Sequence, residues 1–323
     1  MPDAIALRDL SKTYPRKEGG PVQAVAPLNL DIPTGQVLGF LGTNGAGKTT
    51  TIKMMCGLVA PTTGQVTLNG YQVDKQRSQA MSQIGAVLEG TRNIYWRLSP
   101  LQNLIYFGRL KGYGGRPLRQ RAEQLLQELD LWDRRHDPVN DFSRGMQQKV
   151  AIACALISDP PIVLLDEPTL GLDVHAARTV KEWVKDLAGH YGKTIILTTH
   201  QLDMAETLCD RVVIIREGEL VTDQPTSALL ELFRQARYEI RVEGHLPDDM
   251  ASMKQMPDTG LSLSYDNGHT LLSLSSNDQD KLHQVLDKIR ARGIPLISVQ
   301  QAEPNLEEVF VQLTGANADT HLN

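Results

Sequence analysis

The sequence has few cysteines, no long apolar run and no excess of basic residues. Its three cysteines, Cys56, Cys154 and Cys209, lie far apart and form no CxxC pair, so neither a disulfide framework nor a zinc site is indicated. The longest apolar run, residues 150–157, is far shorter than the roughly 20 residues that span a bilayer. The first residues also lack the basic and apolar segments of a signal peptide. We therefore expect a chain that is neither secreted nor membrane-spanning and that works in a reducing, cytosolic compartment.

The length and the charge balance limit the classes of protein that the chain can represent. With 323 residues, of which 41% are apolar, the chain has room for two domains and a real hydrophobic core. The formal net charge is −5, and the acidic excess lies after residue 237. Neither half carries the basic surface that a nucleic-acid-binding protein needs, so we expect no nucleic-acid partner.

Apolar stretches bounded by glycine and proline predict strands in the first two thirds of the chain. These strands lie at about residues 4–10, 24–32, 36–41, 65–73, 84–88, 161–165, 194–199 and 211–216. Segments with helical periodicity are interleaved with the later strands. The pattern predicts an α/β fold in which a mixed N-terminal sheet leads into a parallel core covered by helices.

The last third of the chain has a different pattern. Residues 222–237 are predicted as a turn and a helix that link the core to a separate domain. Beyond this linker, alternating strands, a short helix at residues 247–256 and an amphipathic helix at residues 280–293 give the order β-α-β-β-α-β. Asn267-Gly268 is a strong hairpin turn signal between two of the strands. The order predicts a small α+β ferredoxin-like domain, which is followed by a last helix at residues 305–315.

The stretch GTNGAGKTT matches the pattern G-x-x-x-x-G-K-[ST] in full, and it lies between a predicted strand and a predicted helix. In this setting the backbone N–H groups converge on one hollow at a helix N-terminus, which favours a bound triphosphate. Lys48 is predicted to contact the β- and γ-phosphates, Thr49 to ligate Mg²⁺ and Thr50 to donate to a phosphate oxygen. The predicted nucleotide-binding residues of the loop are Gly42, Thr43, Asn44, Gly45, Ala46, Gly47, Lys48, Thr49 and Thr50.

The stretch PIVLLDEP predicts a buried strand that ends in two acidic residues, Asp166 and Glu167. The carboxyl ends of strands are where α/β sheets bind ligands. Asp166 is therefore predicted to hold Mg²⁺, directly or through water, and Glu167 to accept a proton from an attacking water molecule. Taken alone, such a pair would be read as a surface turn, but the phosphate loop upstream favours the catalytic interpretation.

Residues 4–232 resemble the ATPase subunit of an ATP-binding cassette (ABC) transporter. The resemblance rests on five motifs in a fixed order: GTNGAGKTT, FSRGMQQKV, LLDEP, GLD at residues 171–173 and the histidine of TTH, His200. It implies a P-loop NTPase cassette over residues 1–221 that binds ATP and Mg²⁺, with a helical subdomain at about residues 90–158. The predicted linker then covers residues 222–237, and a C-terminal accessory domain covers residues 238–323.

The resemblance also assigns roles to single residues. In the family, the signature sequence of one protomer closes over the γ-phosphate held by the other, which implies a dimer of two copies around ATP. Ser143, at a helix N-cap, and Gly145 would then offer a hydroxyl and an unshielded N–H to that phosphate. His200 resembles the switch histidine, Asp173 the aspartate that couples the two sites, and Tyr14 the aromatic that stacks on adenine. Two simpler interpretations remain open: Ser143 only caps its helix, and Tyr14 is a packed strand residue.

The sequence departs from the family pattern at several positions. Glu89 stands where the family usually carries a glutamine that contacts Mg²⁺, and we hypothesise that Glu89 keeps this metal-sensing role. The alternative is an exposed glutamate that is neutralised by Arg92. In the signature, Arg144 replaces the first glycine and Met146 the glutamine. Such variants resemble the branch that comprises drug-resistance and lipid or polysaccharide exporters, whose permease is a separate chain.

These observations predict an ATPase that drives transport, with export expected from the family branch, at the cytoplasmic face of the membrane. Residues 93–104 stand where, by the resemblance, the family docks its permease, so Tyr95 or Trp96 is expected near that partner. The alternative is that these aromatic residues belong to the core of the helical subdomain. Two other classes remain: a soluble cassette ATPase that acts on ribosomes or DNA, and a regulatory module that binds ATP without hydrolysing it. The single phosphate loop and the absence of a heptad pattern weaken the first alternative. Glu167 and His200 argue against the second.

Overall fold

The computed structural model describes residues 3–16, 20–88, 90, 93–232, 237–244, 261–266, 268–275, 279–302 and 305–315. Its internal contacts divide the chain into two compact units. The first unit comprises Met1–Thr226 and Phe310–Asn323, and the second comprises Ser227–Val309. The division at Thr226 falls within the segment 222–237 that the sequence indicates as a linker.

Up to Thr226, the described residues of the first unit form ten strands and seven α-helices. The strands are β1 (Asp3–Tyr14), β2 (Val22–Pro33), β3 (Val37–Leu41), β4 (Thr63–Leu68), β5 (Tyr71–Gln72), β6 (Ile84–Val87), β7 (Ile162–Asp166), β8 (Thr194–Thr198), β9 (Arg211–Arg216) and β10 (Glu219–Pro225). The helices are α1 (Lys48–Met55), α2 (Arg77–Ser82), α3 (Pro100–Leu110), α4 (Gly115–Glu128), α5 (Arg144–Leu156), α6 (Val174–Gly189) and α7 (Leu202–Leu208), and α8 (Thr226–Leu232) comes next in the chain. Helix α8 begins at the boundary between the two units.

Two sheets form the framework of the first unit. One is antiparallel, in the order β2-β1-β4-β5, and the other has the order β10-β9-β3-β8-β7-β6. In the larger sheet the strands from β9 to β6 pair in parallel, and only β10 is antiparallel to its neighbour. Parallel strands end at the same edge of a sheet, so the residues that follow β3, β7 and β8 meet there. The arrangement confirms the predicted cassette fold.

Strand β10 was missed by the sequence analysis, which predicts a turn and a helix over residues 222–237. The structure instead joins β9 to β10 through the two-residue turn Glu217-Gly218, whose φ angles are 52° and 85°. Two successive positive φ angles are typical of the type I′ turn that closes β-hairpins. Glu-Gly is a weaker hairpin signal than Asn-Gly or Asp-Gly, which explains why the pattern did not reveal the strand.

The main core lies between the two sheets and includes the inner face of α1. Strands β3, β7 and β8 are buried along their whole length, as expected of parallel strands covered on both faces. Phe40, Ile52 and Leu164 are representative members of the core, and all three are fully buried. Burial of each such side chain contributes about 1.5–3 kcal/mol, so the phosphate loop between β3 and α1 is anchored at both ends.

Helices α3, α4 and α5 form the helical part of the first unit. Helix α3 begins with a complete capping box, in which Ser99 accepts from the Gln102 N–H and the Gln102 side chain accepts from the Ser99 N–H. The fully buried Asn103 bonds to the backbone N–H and C=O of Tyr95 at 2.8 and 3.0 Å, which holds the preceding loop against α3. No helix in the described part of the chain is long and apolar enough to cross a bilayer.

The second unit contains a four-stranded antiparallel sheet. Its strands are β11 (Arg237–Glu243), β12 (Leu261–Asp266), β13 (His269–Ser275) and β14 (Leu296–Ala302), in the order β12-β13-β11-β14. Helix α9 (Gln279–Ala291) packs Val285 and Ile289 against Ile240 and Leu272 of the sheet. This strand order is that of the predicted ferredoxin-like domain. The helix predicted at residues 247–256 lies outside the described residues, and α10 (Leu306–Thr314) is the last helix described.

All three cysteines are free and buried. Burial raises the pKa of the Cys56 and Cys209 thiols to about 12, and it raises the pKa of Cys154 further. The thiolate is the reactive form of cysteine, so these side chains are inert packing residues at neutral pH.

Candidate active site

The phosphate loop connects β3 to α1 and forms one wall of a cavity of about 420 Å³. The residues that line the cavity are Ala24, Asn44, Gly45, Ala46, Gly47, Lys48, Thr49, Thr50, Glu167, Leu170 and His200. The first N–H groups of a helix have no partner within the helix, so the start of α1 presents donors and positive potential to this cavity. The predicted loop residues from Asn44 to Thr50 are thus brought together as expected for a triphosphate site.

Lys48 is buried and crosses back over the loop. Its ammonium group donates to the carbonyl oxygens of Gly42 and Thr43 at 2.6 and 3.2 Å. These contacts hold the two ends of the loop together and keep the charge close to the loop. A positive charge fixed at the edge of the cavity favours binding of a phosphate group.

The two predicted carboxylate residues lie at the end of β7, and only Glu167 also lines the cavity that contains the phosphate loop. Asp166 is buried and accepts a hydrogen bond from the Thr198 hydroxyl, whereas Glu167 lines the cavity that contains the phosphate loop. Glu167 has a φ of 51°, which is unusual for a residue other than glycine. Its N–H lies 3.1 Å from both the Thr198 carbonyl and the Thr198 hydroxyl oxygen. These contacts stabilise the unusual backbone conformation, which turns the Glu167 side chain towards the cavity.

His200 lies beside Glu167 on the same cavity. The distance between His200 Nδ1 and Glu167 Oε2 is 2.9 Å, and the Glu167 side chain is only 10% exposed. When the carboxylate is the acceptor in this pair, the Nδ1 atom is the donor. The histidine therefore orients the glutamate and leaves its Nε2 atom for another partner, an arrangement suited to general base chemistry.

The signature residues lie away from this cavity. Ser143 is the N-cap of α5 and accepts a hydrogen bond from the Met146 N–H, and Asp173 caps α6 in the same way. Both residues are exposed, and neither lines the cavity that contains the phosphate loop. Gly145 is buried, and a Cβ atom there would lie 2.5 Å from the Ala176 Cβ atom. Gly145 is thus required for close packing of α5 on α6, whatever its N–H binds.

The predicted adenine contact, Tyr14, does not line the cavity. Tyr14, at the end of β1, is 38% exposed and is absent from the cavity lining, and the Lys12 ammonium lies 5.0 Å from its ring centre. Glu89 lies outside the described residues. The adenine-stacking role of Tyr14 and the metal-sensing role of Glu89 therefore remain predictions.

Thr49 and Asp166 are suited to a magnesium site. Mg²⁺ in nucleotide sites is usually held by one or two protein oxygen ligands together with phosphate oxygens and water. Among the described residues, no group of three or more His, Cys, Asp or Glu side chains could hold a metal ion. A hydroxyl at the start of α1 and a carboxylate at the end of β7 match this sparse donor set.

Thr198 is a site residue that the sequence analysis did not identify. Replacement by valine keeps the shape of this fully buried side chain but removes its hydrogen bonds to Asp166 and Glu167. We expect a loss of about 1–3 kcal/mol in the free energy of unfolding, because a buried carboxylate loses a donor. We also expect ATP turnover to fall about tenfold, since Glu167 loses its alignment.

Thr194 provides the matched control for this prediction. It lies at the opposite end of β8, is equally buried, and accepts a hydrogen bond from the Gly35 N–H at 2.9 Å. Thr194→Val should lower the melting temperature without lowering turnover per folded molecule. Equal turnover in Thr198→Val and Thr194→Val would show that Thr198 has only a structural role.

Comparisons with known proteins agree with this geometry. A family profile described as "ABC transporter" matches residues 25–170, and one described as "Domain of unknown function (DUF8691)" matches residues 237–300. The ABC transporter ATP-binding protein NatA of Bacillus subtilis is 38% identical over 73% of this chain and 94% of its own length. The Nod factor export ATP-binding protein I of Sinorhizobium fredii is 35% identical over 97% of this chain and 86% of its own length.

A solved structure shows the same architecture. It is a dimeric post-hydrolysis state of the ATP-binding cassette MJ0796 with ADP and Pi, and it is 28% identical with a TM-score of 0.63. The match covers 69% of this chain and 98% of that structure. Together with the phosphate loop, the paired carboxylates and the neighbouring histidine, these relatives show that the chain belongs to the ABC transporter family, as an ATP-hydrolysing subunit for ATP-driven transport.

Proposed function

We propose that two copies of the chain enclose two Mg-ATP molecules, each held by the phosphate loop of one copy and the signature turn of the other. The observation that carries this proposal is the position of Ser143. It is exposed at the N-terminus of α5, where a helix favours anions, yet it does not line the ATP cavity of its own chain. The phosphate that Ser143 binds would therefore belong to a second copy. The dimeric state of the solved relative supports this arrangement.

Within such a site the residues of the chain have distinct tasks. Lys48 would neutralise the phosphates, while Glu167, oriented by His200, would take a proton from the attacking water. Thr49 and Asp166 would hold Mg²⁺. When bound, the metal ion neutralises the charge that develops on the transferred phosphoryl group. Because the carboxylate of Glu167 is almost fully buried beside the cavity, it would act in a setting from which water is largely excluded.

We further propose that the chain drives export through a separate permease, at the cytoplasmic face of the membrane. The Nod factor relative, which matches 97% of this chain, has "export" in its name. A surface suited to such a partner lies next to the loop held by Asn103. Tyr95, Trp96 and Tyr106 are all more than a third exposed, and the rings of Tyr95 and Tyr106 pack edge to face with centres 4.9 Å apart. Exposed aromatic clusters of this kind are typical of protein interfaces.

Trp96→Ala tests the permease proposal. We expect the variant to recover about tenfold less membrane subunit on co-purification from native membranes, because exposed tryptophans are frequent binding hot spots. Its own ATPase activity should stay within about twofold of the parent, since Trp96 does not line the ATP cavity. Tyr191, which is 50% exposed in the turn after α6, provides a matched control.

The outcome separates the competing functions. If Trp96→Ala and Tyr191→Ala retain the permease equally, the docking surface is wrong. If no membrane protein co-purifies with the active parent protein, the result contradicts the permease proposal and favours the soluble cassette alternative.

A further inference from the structure

A second cavity, of about 630 Å³, lies beside the ATP cavity. The lining includes Asp166, Glu167, Leu170 and Gly171, from the end of β7 and the segment after it. Arg144 contributes from the first turn of α5. Glu167 and Leu170 line both cavities. The segment 167–171 is therefore a thin wall, with the ATP cavity on one side and Arg144 on the other.

Arg144 packs directly against this wall. Its Nη1 atom lies 3.1 Å from the point that a Cβ atom on Gly171 would occupy, and Gly171 has a φ of 71°. The absence of a side chain at Gly171 thus allows the guanidinium group to approach the backbone of the wall. Asp166 and Glu167 also contribute to the lining of this cavity, so the positive charge of Arg144 lies in the same cavity as two acidic residues.

We propose that Arg144 is a positioning residue, which holds the segment 167–171 of its own chain so that Glu167 stays aligned for ATP hydrolysis. This inference rests on the proposed function, in which the adjacent Ser143 binds the nucleotide of the partner copy. Ser143 and Arg144 are neighbours at the start of one helix, so a movement of Ser143 onto the partner's nucleotide also moves Arg144. The occupancy of one ATP site is thereby linked to the alignment of Glu167 in the other site.

Arg144→Ala should lower kcat for ATP about tenfold and change KM less than about twofold, because it loosens a catalytic wall without removing a nucleotide contact. Arg144→Lys should stay within about threefold of the parent kcat, since it keeps the charge but lacks the planar guanidinium group. Arg144 is exposed, so both variants should keep the parent melting temperature. Arg119→Ala, which removes an exposed arginine from α4, is the control and should leave both constants unchanged.

A double-mutant cycle with Gly171→Ala tests the contact itself. The added methyl group strains the backbone at a φ of 71° and displaces the guanidinium group. The displacement has no effect once Arg144 is absent, so Gly171→Ala should reduce kcat several-fold less in the Arg144→Ala background than in the parent. Additive effects of the two substitutions on kcat would overturn the proposed contact.

Dimerisation distinguishes a positioning role of Arg144 from direct contact with the partner's nucleotide. In the Glu167→Gln background, Arg144→Ala should leave ATP-dependent dimerisation unchanged. An unchanged kcat in Arg144→Ala would refute the inference. A raised KM in Arg144→Ala, together with loss of the dimer in the Glu167→Gln background, would also refute it, because Arg144 would then contact the partner's nucleotide. Either outcome leaves the proposed function standing, provided that the parent protein hydrolyses ATP and that the Glu167→Gln single variant dimerises with ATP. A Glu167→Gln single variant that stays monomeric with ATP would contradict both the proposed dimer and the inference on Arg144.

Discussion

Replacing Glu167 by glutamine is expected to lower ATP turnover roughly a thousandfold, because an amide cannot take a proton from water. Glutamine has the same shape, and its side-chain oxygen can still accept the hydrogen bond from His200 Nδ1. Nucleotide binding should therefore persist. If two copies enclose ATP as proposed, the unhydrolysed nucleotide keeps them together, and light scattering at saturating Mg-ATP should show a dimer.

Glu217→Gln is a matched control for this experiment. Glu217 has almost the same backbone conformation as Glu167, with φ angles of 52° and 51°, but it lies in the exposed turn between β9 and β10. The control should hydrolyse ATP at the parent rate and should not accumulate as a dimer. Parental turnover in Glu167→Gln would contradict its role as the base. A slow variant that stays monomeric would instead contradict the enclosed-ATP dimer.

The sequence was sufficient for the parts of the site that are built from local backbone geometry. In GTNGAGKTT the residue types, their spacing and the flanking strand and helix all belong to one continuous segment, and the structure forms the loop as expected. The same holds for Asp166 and Glu167, which follow an unbroken apolar strand. Local patterns of this kind fix both the backbone conformation and the edge of the sheet to which a residue belongs.

Contacts between distant segments could not be predicted in this way. Asp166 and Thr198 lie directly opposite each other on the parallel strands β7 and β8, and this register appears only once the sheet is assembled. In the sequence, Thr198 looks like one more residue of an apolar strand. In the structure, its hydroxyl group donates a hydrogen bond to Asp166 and accepts one from the Glu167 N–H. The packing of Arg144 on Gly171 likewise joins two separate segments. Sequence spacing contains no direct record of such tertiary contacts.

Tyr14 is a residue that the sequence predicts as a ligand contact but that does not line the cavity. Its position in the first strand region resembles that of an adenine-stacking residue, but the ATP cavity is lined by Ala24 from β2 rather than by Tyr14. A strand pattern predicts which residues alternate between faces, but not how far the end of a strand lies from a ligand bound to a neighbouring loop. The stacking role therefore depends on a measurement of ATP affinity in Tyr14→Ala.

Gly47→Ala is expected to destabilise the protein by about 3–5 kcal/mol, which combines backbone strain with a steric clash. Gly47 has a φ of 105°, and a Cβ atom there would collide with the carbonyl oxygen of Ala24. Because Ala24 belongs to β2, the clash would push the phosphate loop away from the antiparallel sheet. Thermal unfolding without nucleotide should show a melting temperature lower by about 10 °C.

Gly45→Ala separates the two causes of this loss. Gly45 also has a positive φ, of 83°, but a Cβ atom there would meet no atom within 4 Å. The variant should lose only about 1 kcal/mol from backbone strain. It should still bind ATP more weakly, because Gly45 lines the cavity and the methyl group reduces the space available to phosphate. Equal melting temperatures for the two variants would mean that the approach of Gly47 to Ala24 does not hold the loop in place, and that positive φ alone explains both glycines.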